Sequence, residues 1–157
     1  MEQQHTPDLP LIDRIKIGAE FLVPIFKQME EVLGRAQAQS IMRKGASTRF
    51  RAMARDAVES AGGNGGRALM KLNEGVRQGV DIITDGRPQS DGFSMDVTAC
   101  VYARFFQELG EPELGFLLVC SADFDVVEEM DDVELTRSQT LMEGADHCDF
   151  EYRFLSQ

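Results

Sequence analysis

No apolar run in this chain is long enough to cross a bilayer: the longest, Gly115 to Cys120, is far short of the roughly twenty residues a membrane helix needs. The opening residues, MEQQHTPDLP, lack a basic start, an apolar core and a small-residue cleavage site, so no secretory leader is expected and the protein is read as cytoplasmic. Cysteine is scarce and odd in number, with three residues, which fits reduced thiols better than a disulfide framework. Positive charge is also in short supply. Sixteen Lys and Arg face 27 Asp and Glu, and the resulting net charge of -11 would repel a phosphate backbone, so neither nucleic acid nor membrane is an expected partner. Short catalytic and metal signatures are missing too: there is no CxxC, no HExxH and no GxSxG. The glycine-rich stretch Gly62 to Gly66 lacks the Gly-Lys-Ser/Thr ending and the preceding strand of a phosphate loop, and reads as a linker.

What remains is the composition of a soluble globular protein, 43% hydrophobic and 27% charged over 157 residues. A chain of this length forms one ordinary domain, residues 1–157, and buries roughly 70% of the surface its unfolded form exposes. Its charge is unevenly placed. Residues 1–60 carry 9 basic and 8 acidic side chains, whereas residues 61–157 carry 7 and 19. Between Arg35 and Arg55 there are six cations and no acid. This basic helix is expected to be a solvated face, or to dock on the acidic half of its own chain or of a second subunit.

Apolar residues from Ile12 to Met29 recur at helical spacing, with Asp8 or Asp13 as a cap, a kink at Pro24 and a stop at Gly34. A second helix is expected from about Arg35 to Ser60, with a possible break near Gly45, and a third from about Arg67 to Val80. The stretch Thr84 to Gly92, rich in Asp, Gly and Pro, reads as turn. After it the period becomes two: Phe93, Met95, Val97 and Ala99 form one face of a strand. A short helix covers Val101 to Leu109, another opens at Pro112, and two strands, antiparallel neighbours, follow from Val133 to Thr140 and from Asp149 to Phe154. The expected fold is therefore α+β, with helices in residues 1–80 and a small antiparallel sheet among mixed elements in residues 81–157. The apolar load of the first two helices, including Phe21, Phe26 and Phe50, exceeds what one small sheet covers, which points to a homodimer.

Chemistry concentrates in the last third. Cys120 and Asp123 lie three residues apart, hence on one helical face. Asp146, His147, Cys148 and Asp149 gather where the last strand begins. Each residue alone reads more readily as structure: a core thiol, a helix cap, a loop histidine. From residue 105 onward there are 14 acids but only two cations, Arg137 and Arg153. Arg137 falls on the strand side that Val133 and Leu135 mark as buried, and a buried guanidinium needs a planar acceptor. That acceptor is either a carboxylate such as Asp123 or the carboxylate of a substrate.

The stretch running from Cys100 through Glu108-Leu-Gly-Glu-Pro-Glu-Leu-Gly115 and Cys120-x2-Asp123 to Arg137-x2-Thr140-Leu-Met-Glu-Gly144-Ala-Asp-His-Cys148-Asp149-Phe150 resembles the L-2-amino-thiazoline-4-carboxylic acid hydrolases over about residues 92–155. The resemblance implies a small cytoplasmic bacterial hydrolase that opens a carboxylated heterocycle by acting on a cyclic amidine-type C-N bond. It carries over the positions Cys120, Asp123, Arg137, Thr140, Cys148 and Asp149. Ring opening requires attack on the carbon between sulfur and nitrogen. A thiolate beside a base does this directly, Cys120 or Cys148 with His147; an activated water does it with a carboxylate base or a metal. We place the metal-free thiol route ahead, although Cys120, Asp123, His147 and Cys148 are also donors that suit zinc or another divalent metal. No cofactor is required by the sequence. The expected catalytic set is Cys120, Asp123, Cys148 and Asp149, with Arg137, Thr140 and His147 binding a small-molecule substrate; Cys120, Asp123, Arg137, Cys148 and Asp149 are expected to line one cavity between the sheet and the helix that starts near Pro112. The alternatives are a small-molecule or metal-binding sensor of the same fold, and an assembly protein that uses its basic helix for docking.

Overall fold

The computed structural model describes residues 9–77 and 82–155. Three helices come first: α1 (Leu11–Leu33), α2 (Arg35–Ser60) and α3 (Gly65–Arg77). Asp8 lies outside the described residues, and Asp13 sits in the first turn of α1 rather than capping it; Pro10 holds the cap position without a side-chain bond. Pro24 is inside an uninterrupted α1, and α2 runs through Gly45. Gly34 ends α1 with a φ of 80°, a conformation that favours glycine and lets the chain reverse into α2 within a single residue.

The remaining elements are β1 (Ile82–Gln89), β2 (Gly92–Cys100), α4 (Val101–Glu108), α5 (Pro112–Gly115), a wide turn over Phe116–Cys120, α6 (Ala122–Val127), β3 (Val133–Thr136), a 3-10 turn over Leu141–Glu143, and β4 (Cys148–Phe154). All strand pairings are antiparallel, in the order β1-β2-β4-β3. The fold is α+β, with its four-stranded sheet in the C-terminal half.

Two expectations are corrected. Thr84 to Gly92 is not a turn region; most of it is strand β1, and only Ser90 and Asp91 connect it to β2. β1 is an edge strand, so Pro88, which has no N–H to donate, is tolerated there. The strand expected from Val133 to Thr140 ends at Thr136. Beyond it the backbone N–H groups of Ser138 and Gln139 turn away from the sheet to the Asp149 carboxylate, at 3.0 and 2.9 Å.

The sheet's inner face is covered by α2, α3 and α6. Ala54, Leu69, Val126, Met130, Val133 and Tyr152 form this core, with Phe93 stacked on Tyr152 at 4.9 Å. A second cluster joins Phe26, Ala38 and Leu114 of α1, α2 and α5. A third joins Ala103, Phe106 and Met142, with Cys100 and Cys120 packed against it. Gly115 lets α5 approach this third cluster: a Cβ there would lie 2.5 Å from the Phe106 ring and 2.7 Å from Met142 sulfur.

The basic helix docks on the acidic segment of its own chain. Arg43 of α2 grips the buried Asp125 of α6 through both terminal nitrogens, at 2.6 and 3.0 Å, and Ser47 Oγ donates to the same carboxylate at 2.7 Å. Arg51 pairs with Glu128 and Glu129, Arg55 with Glu129, and Arg35 with Glu113. Most of these pairs are exposed and contribute little, whereas the Arg43–Asp125 fork has one partner almost wholly buried.

Asp125→Asn should therefore lower unfolding stability by about 2–3 kcal/mol, measured by urea denaturation at neutral pH, because it weakens a two-bond charged contact and leaves Arg43 without its anion. Glu128→Gln, at the exposed rim, should change it by less than about 1 kcal/mol. Equal effects would contradict this division. Gly115→Ala, which has no room, should cost about 1–3 kcal/mol.

Candidate functional site

Arg137 follows the last residue of β3, and its side chain is only 3% exposed. Nη1 donates to Asp123 Oδ2 at 2.5 Å, and Nη2 donates to the carbonyl of Cys120 at 3.0 Å. The rings of Phe124 and Phe150 lie 5.1 and 5.2 Å from its guanidinium carbon. The cation thus has planar acceptors along one edge and aromatic rings nearby, an arrangement that suits arginine and not lysine.

The chain brings Cys120 and Asp123 to this point through an irregular helix. Residues 116–120 widen to i→i+5 bonding, with Ser121 N–H donating to Phe116 C=O at 2.9 Å. The widening ends at Cys120, whose carbonyl is thereby available to Arg137, and α6 restarts with Asp123 in its first turn.

Burial pushes the pKa of Asp123 up to about 6, and the Arg137 guanidinium only partly offsets it. A third of the side chain, 35%, is nevertheless open to solvent. Asp123 is thus a part-exposed carboxyl paired with a buried guanidinium. Oδ2 is held by Arg137, while Oδ1 accepts no hydrogen bond among the described residues.

Burial is also the main influence on all three thiols, and it raises each above the usual cysteine value. Cys100 and Cys120 pack against one cluster, and Arg137 joins Cys120 to Asp123. Cys148 accepts a hydrogen bond from Leu141 N–H at 3.2 Å. No basic side chain hydrogen-bonds to any of the thiols among the described residues.

The other site residues fall apart from this group. The β4 pleat puts Cys148, Phe150 and Tyr152 on one face and Asp149 on the other. Burial pushes Asp149 up, but the Ser138 hydroxyl and the N–H groups of Gln139 and Ser138 more than offset it, and its pKa is lowered. This carboxylate holds a turn. Thr140 is 1% exposed and its hydroxyl is engaged in a cap: it accepts from Glu143 N–H at 3.2 Å and donates to Glu143 Oε2 at 2.8 Å. His147 Nδ1 lies 2.5 Å from Asp146 Oδ1, and the Gln139 amide nitrogen is 3.1 Å from either ring nitrogen. His147 therefore belongs to a half-exposed cluster of its own. Among the described residues no three His, Cys, Asp or Glu side chains converge to hold a metal ion, so the donor set read from the sequence does not fit a metal here.

A 620 Å³ cleft lies at one end of the sheet, between β1, α4 and the 141–143 turn. Cys100, Arg104, Gln107 and Leu141 line it together with Ile82, Ile83, Ala99, Val101 and Ala103. Cys120, Asp123, Arg137, Cys148 and Asp149 do not line it. Phe124 and Phe150, the latter closing the quoted motif, flank Arg137, a role the sequence does not announce because aromatic residues on a helix or strand look like ordinary core.

The fold and the Arg137-centred cluster define an α+β protein with a buried guanidinium that pairs with a part-exposed carboxyl and meets the Cys120 carbonyl. The model of the family described as L-2-amino-thiazoline-4-carboxylic acid hydrolase matches residues 14–152, and the chain belongs to that family. The match extends well before residue 92, so the helical N-terminal half is part of the family pattern. Comparison with curated proteins and with solved structures gave no match.

Because burial raises their pKa, the cysteines should react slowly with iodoacetamide in the native protein at pH 7.5, at least tenfold slower than after unfolding. Mass spectrometry of the alkylated peptides checks this, and fast native labelling of Cys148, the buried one of the three, would contradict it. Asp149→Ala should cost about 1–3 kcal/mol at pH 7, since Ser138 and Gln139 lose their acceptor. A lowered carboxyl pKa contributes stability that is present above the unfolded value near 3.8 and lost as pH falls through the lower, folded value. The difference between wild type and variant should accordingly shrink in that acid window.

Proposed function

We propose that this protein hydrolyses a small carboxylated heterocycle of the 2-amino-thiazoline-4-carboxylate type, with Asp123 as the general base that activates water. The observation that carries this reading is the divided environment of Asp123. One oxygen is fixed by Arg137, the other has no donor among the described residues, and the pKa of about 6 suits proton transfer near neutrality. Membership of a family described by this hydrolysis supplies the substrate class.

In this reading water attacks the carbon between sulfur and nitrogen while Asp123 Oδ1 takes its proton. A carbon–oxygen bond forms, and the bond from that carbon to one ring heteroatom then breaks, the heteroatom keeping the electron pair. Both protons of the water end on ring heteroatoms, relayed by Asp123, and its oxygen remains on carbon as a carbonyl. No oxidant or reductant enters. Arg137 acts as a positioning residue that fixes the base, and burial keeps the pKa of that base up. Direct thiolate attack ranks second, because burial holds the thiols protonated.

Three free cysteines suit a reducing cytoplasm. No helix among the described residues is long and apolar enough to cross a membrane. We also propose a homodimer built on α1. Ile17, Phe21, Ile25 and Val32 lie on one face of that helix and are 52 to 78% exposed. Of the three phenylalanines that pointed to association, Phe26 is buried between α1, α2 and α5 and Phe50 packs against the sheet core, which leaves Phe21 for the interface.

The expected pH dependence has a definite sign. Asp123 is a base only when ionised, so kcat/KM on 2-amino-thiazoline-4-carboxylate should rise through a limb near pH 6 and level off above it. Asp123→Asn should lose about 10²- to 10⁴-fold in kcat. Cys120→Ser and Cys148→Ser should keep most turnover. Loss of turnover in either Cys variant with Asp123→Asn still active would sink the carboxylate mechanism, and binding without turnover by the wild type would leave a non-catalytic binding module. Light scattering should give a dimer mass for the wild type and a monomer mass for Phe21→Glu; a wild-type monomer at all concentrations refutes the interface.

A further inference from the structure

Residues 82–155 contain four arginines and no lysine, amid a large excess of acids. Three of the four already meet a carboxylate: Arg87 pairs with Asp96, Arg137 with Asp123, and Arg153 with Asp91 and Glu134. Arg104 does not. It lies on the exposed side of α4 and makes no ion pair or hydrogen bond among the described residues. It also lines the 620 Å³ cleft, where the other lining side chains are mostly apolar.

Arg137 is poorly placed to receive an external anion, since it is 3% exposed and both terminal nitrogens are in use. The cleft offers what Arg137 lacks. Ile82, Ile83, Ala99 and Val101 supply an apolar wall for a small ring, Arg104 supplies a charged fork, and Gln107, whose Nε2 already donates to Leu141 C=O at 2.7 Å, lends a second polar group at the rim. The wall also contains Cys100, which packs into the same cluster as Cys120. Cys100 thus belongs both to the cleft wall and to the cluster that holds Cys120, whose carbonyl accepts from Arg137.

We infer that the cleft between β1 and α4 binds a small cyclic carboxylate, with Arg104 as the residue that holds its carboxylate group. This rests on the hydrolase reading for the identity of the ligand, and it moves the carboxylate-binding role from Arg137 to Arg104. Ligands without a carboxylate lose the charged contact and gain only the apolar wall.

The test measures binding of 2-amino-thiazoline-4-carboxylate, of thiazolidine-4-carboxylate and of the methyl ester of each, by calorimetry on the full chain, alongside turnover of the first. Arg104→Gln should weaken binding of the carboxylates by about ten- to a hundredfold and leave the esters within about twofold. In turnover the loss should fall on KM rather than kcat. Ile83→Glu, an exposed edge-strand position that brings a negative charge to the cleft, should weaken carboxylate binding as well, and Arg104→Lys should recover only part of the loss. Carboxylate binding that depends on Arg104 without any turnover would support the cleft and refute the hydrolase reading. Turnover with an unchanged KM in Arg104→Gln, or no wild-type binding of any of these carboxylates, would overturn the cleft assignment.

Discussion

A guanidinium withdrawn from water must find acceptors in its own plane, and Arg137 imposes that demand on every element around it. Asp123 and the Cys120 carbonyl meet it from the irregular helix, while Phe124 and Phe150 come to it from α6 and β4. The path of residues 137–140 follows from the same demand: the chain leaves β3 with Arg137 turned inward, and Asp149 secures the reversal from the far side of β4. An arginine buried so completely is costly unless paired; the same burial raises the pKa of its partner Asp123 to about 6, and the pairing only partly offsets that rise.

The division of charge along the chain has a structural counterpart. The cations of α2 face the acids of residues 113–129, so the two halves are joined by many weak pairs around the buried Arg43–Asp125 fork. This docking holds α6 in place from outside while Arg137 holds it from inside. The two acidic residues of α6 therefore have different duties: Asp125 closes the helix interface, and Asp123, two residues earlier, pairs with Arg137.

Periodicity made much of this legible. The helical spacing before Gly34 and the alternation after Gly92 marked α1 and β2, because core-facing positions must repeat with the element's own period. The strand β1 was hidden because an edge strand with little burial has no alternation to read and tolerates Pro88. The buried placement of Arg137 was readable from strand parity, and its pairing with Asp123 was one of two stated choices. Thr140 and Asp149 stood in the motif for a reason the motif does not disclose: both satisfy backbone and side-chain groups of a tight turn, and a turn cap and a catalytic group use the same residue types. Arg104 escaped notice because its lack of a partner is a property of three dimensions.

The most direct test of this account is the titration of the Asp123 carboxyl itself, followed by NMR of the carbon-labelled side chain in the intact protein. A midpoint near pH 6, moving down when Cys120 is replaced by the more polar serine, is the behaviour of a base raised by burial and held by Arg137. A midpoint near 4 would describe an ordinary surface ion pair and contradict the central claim.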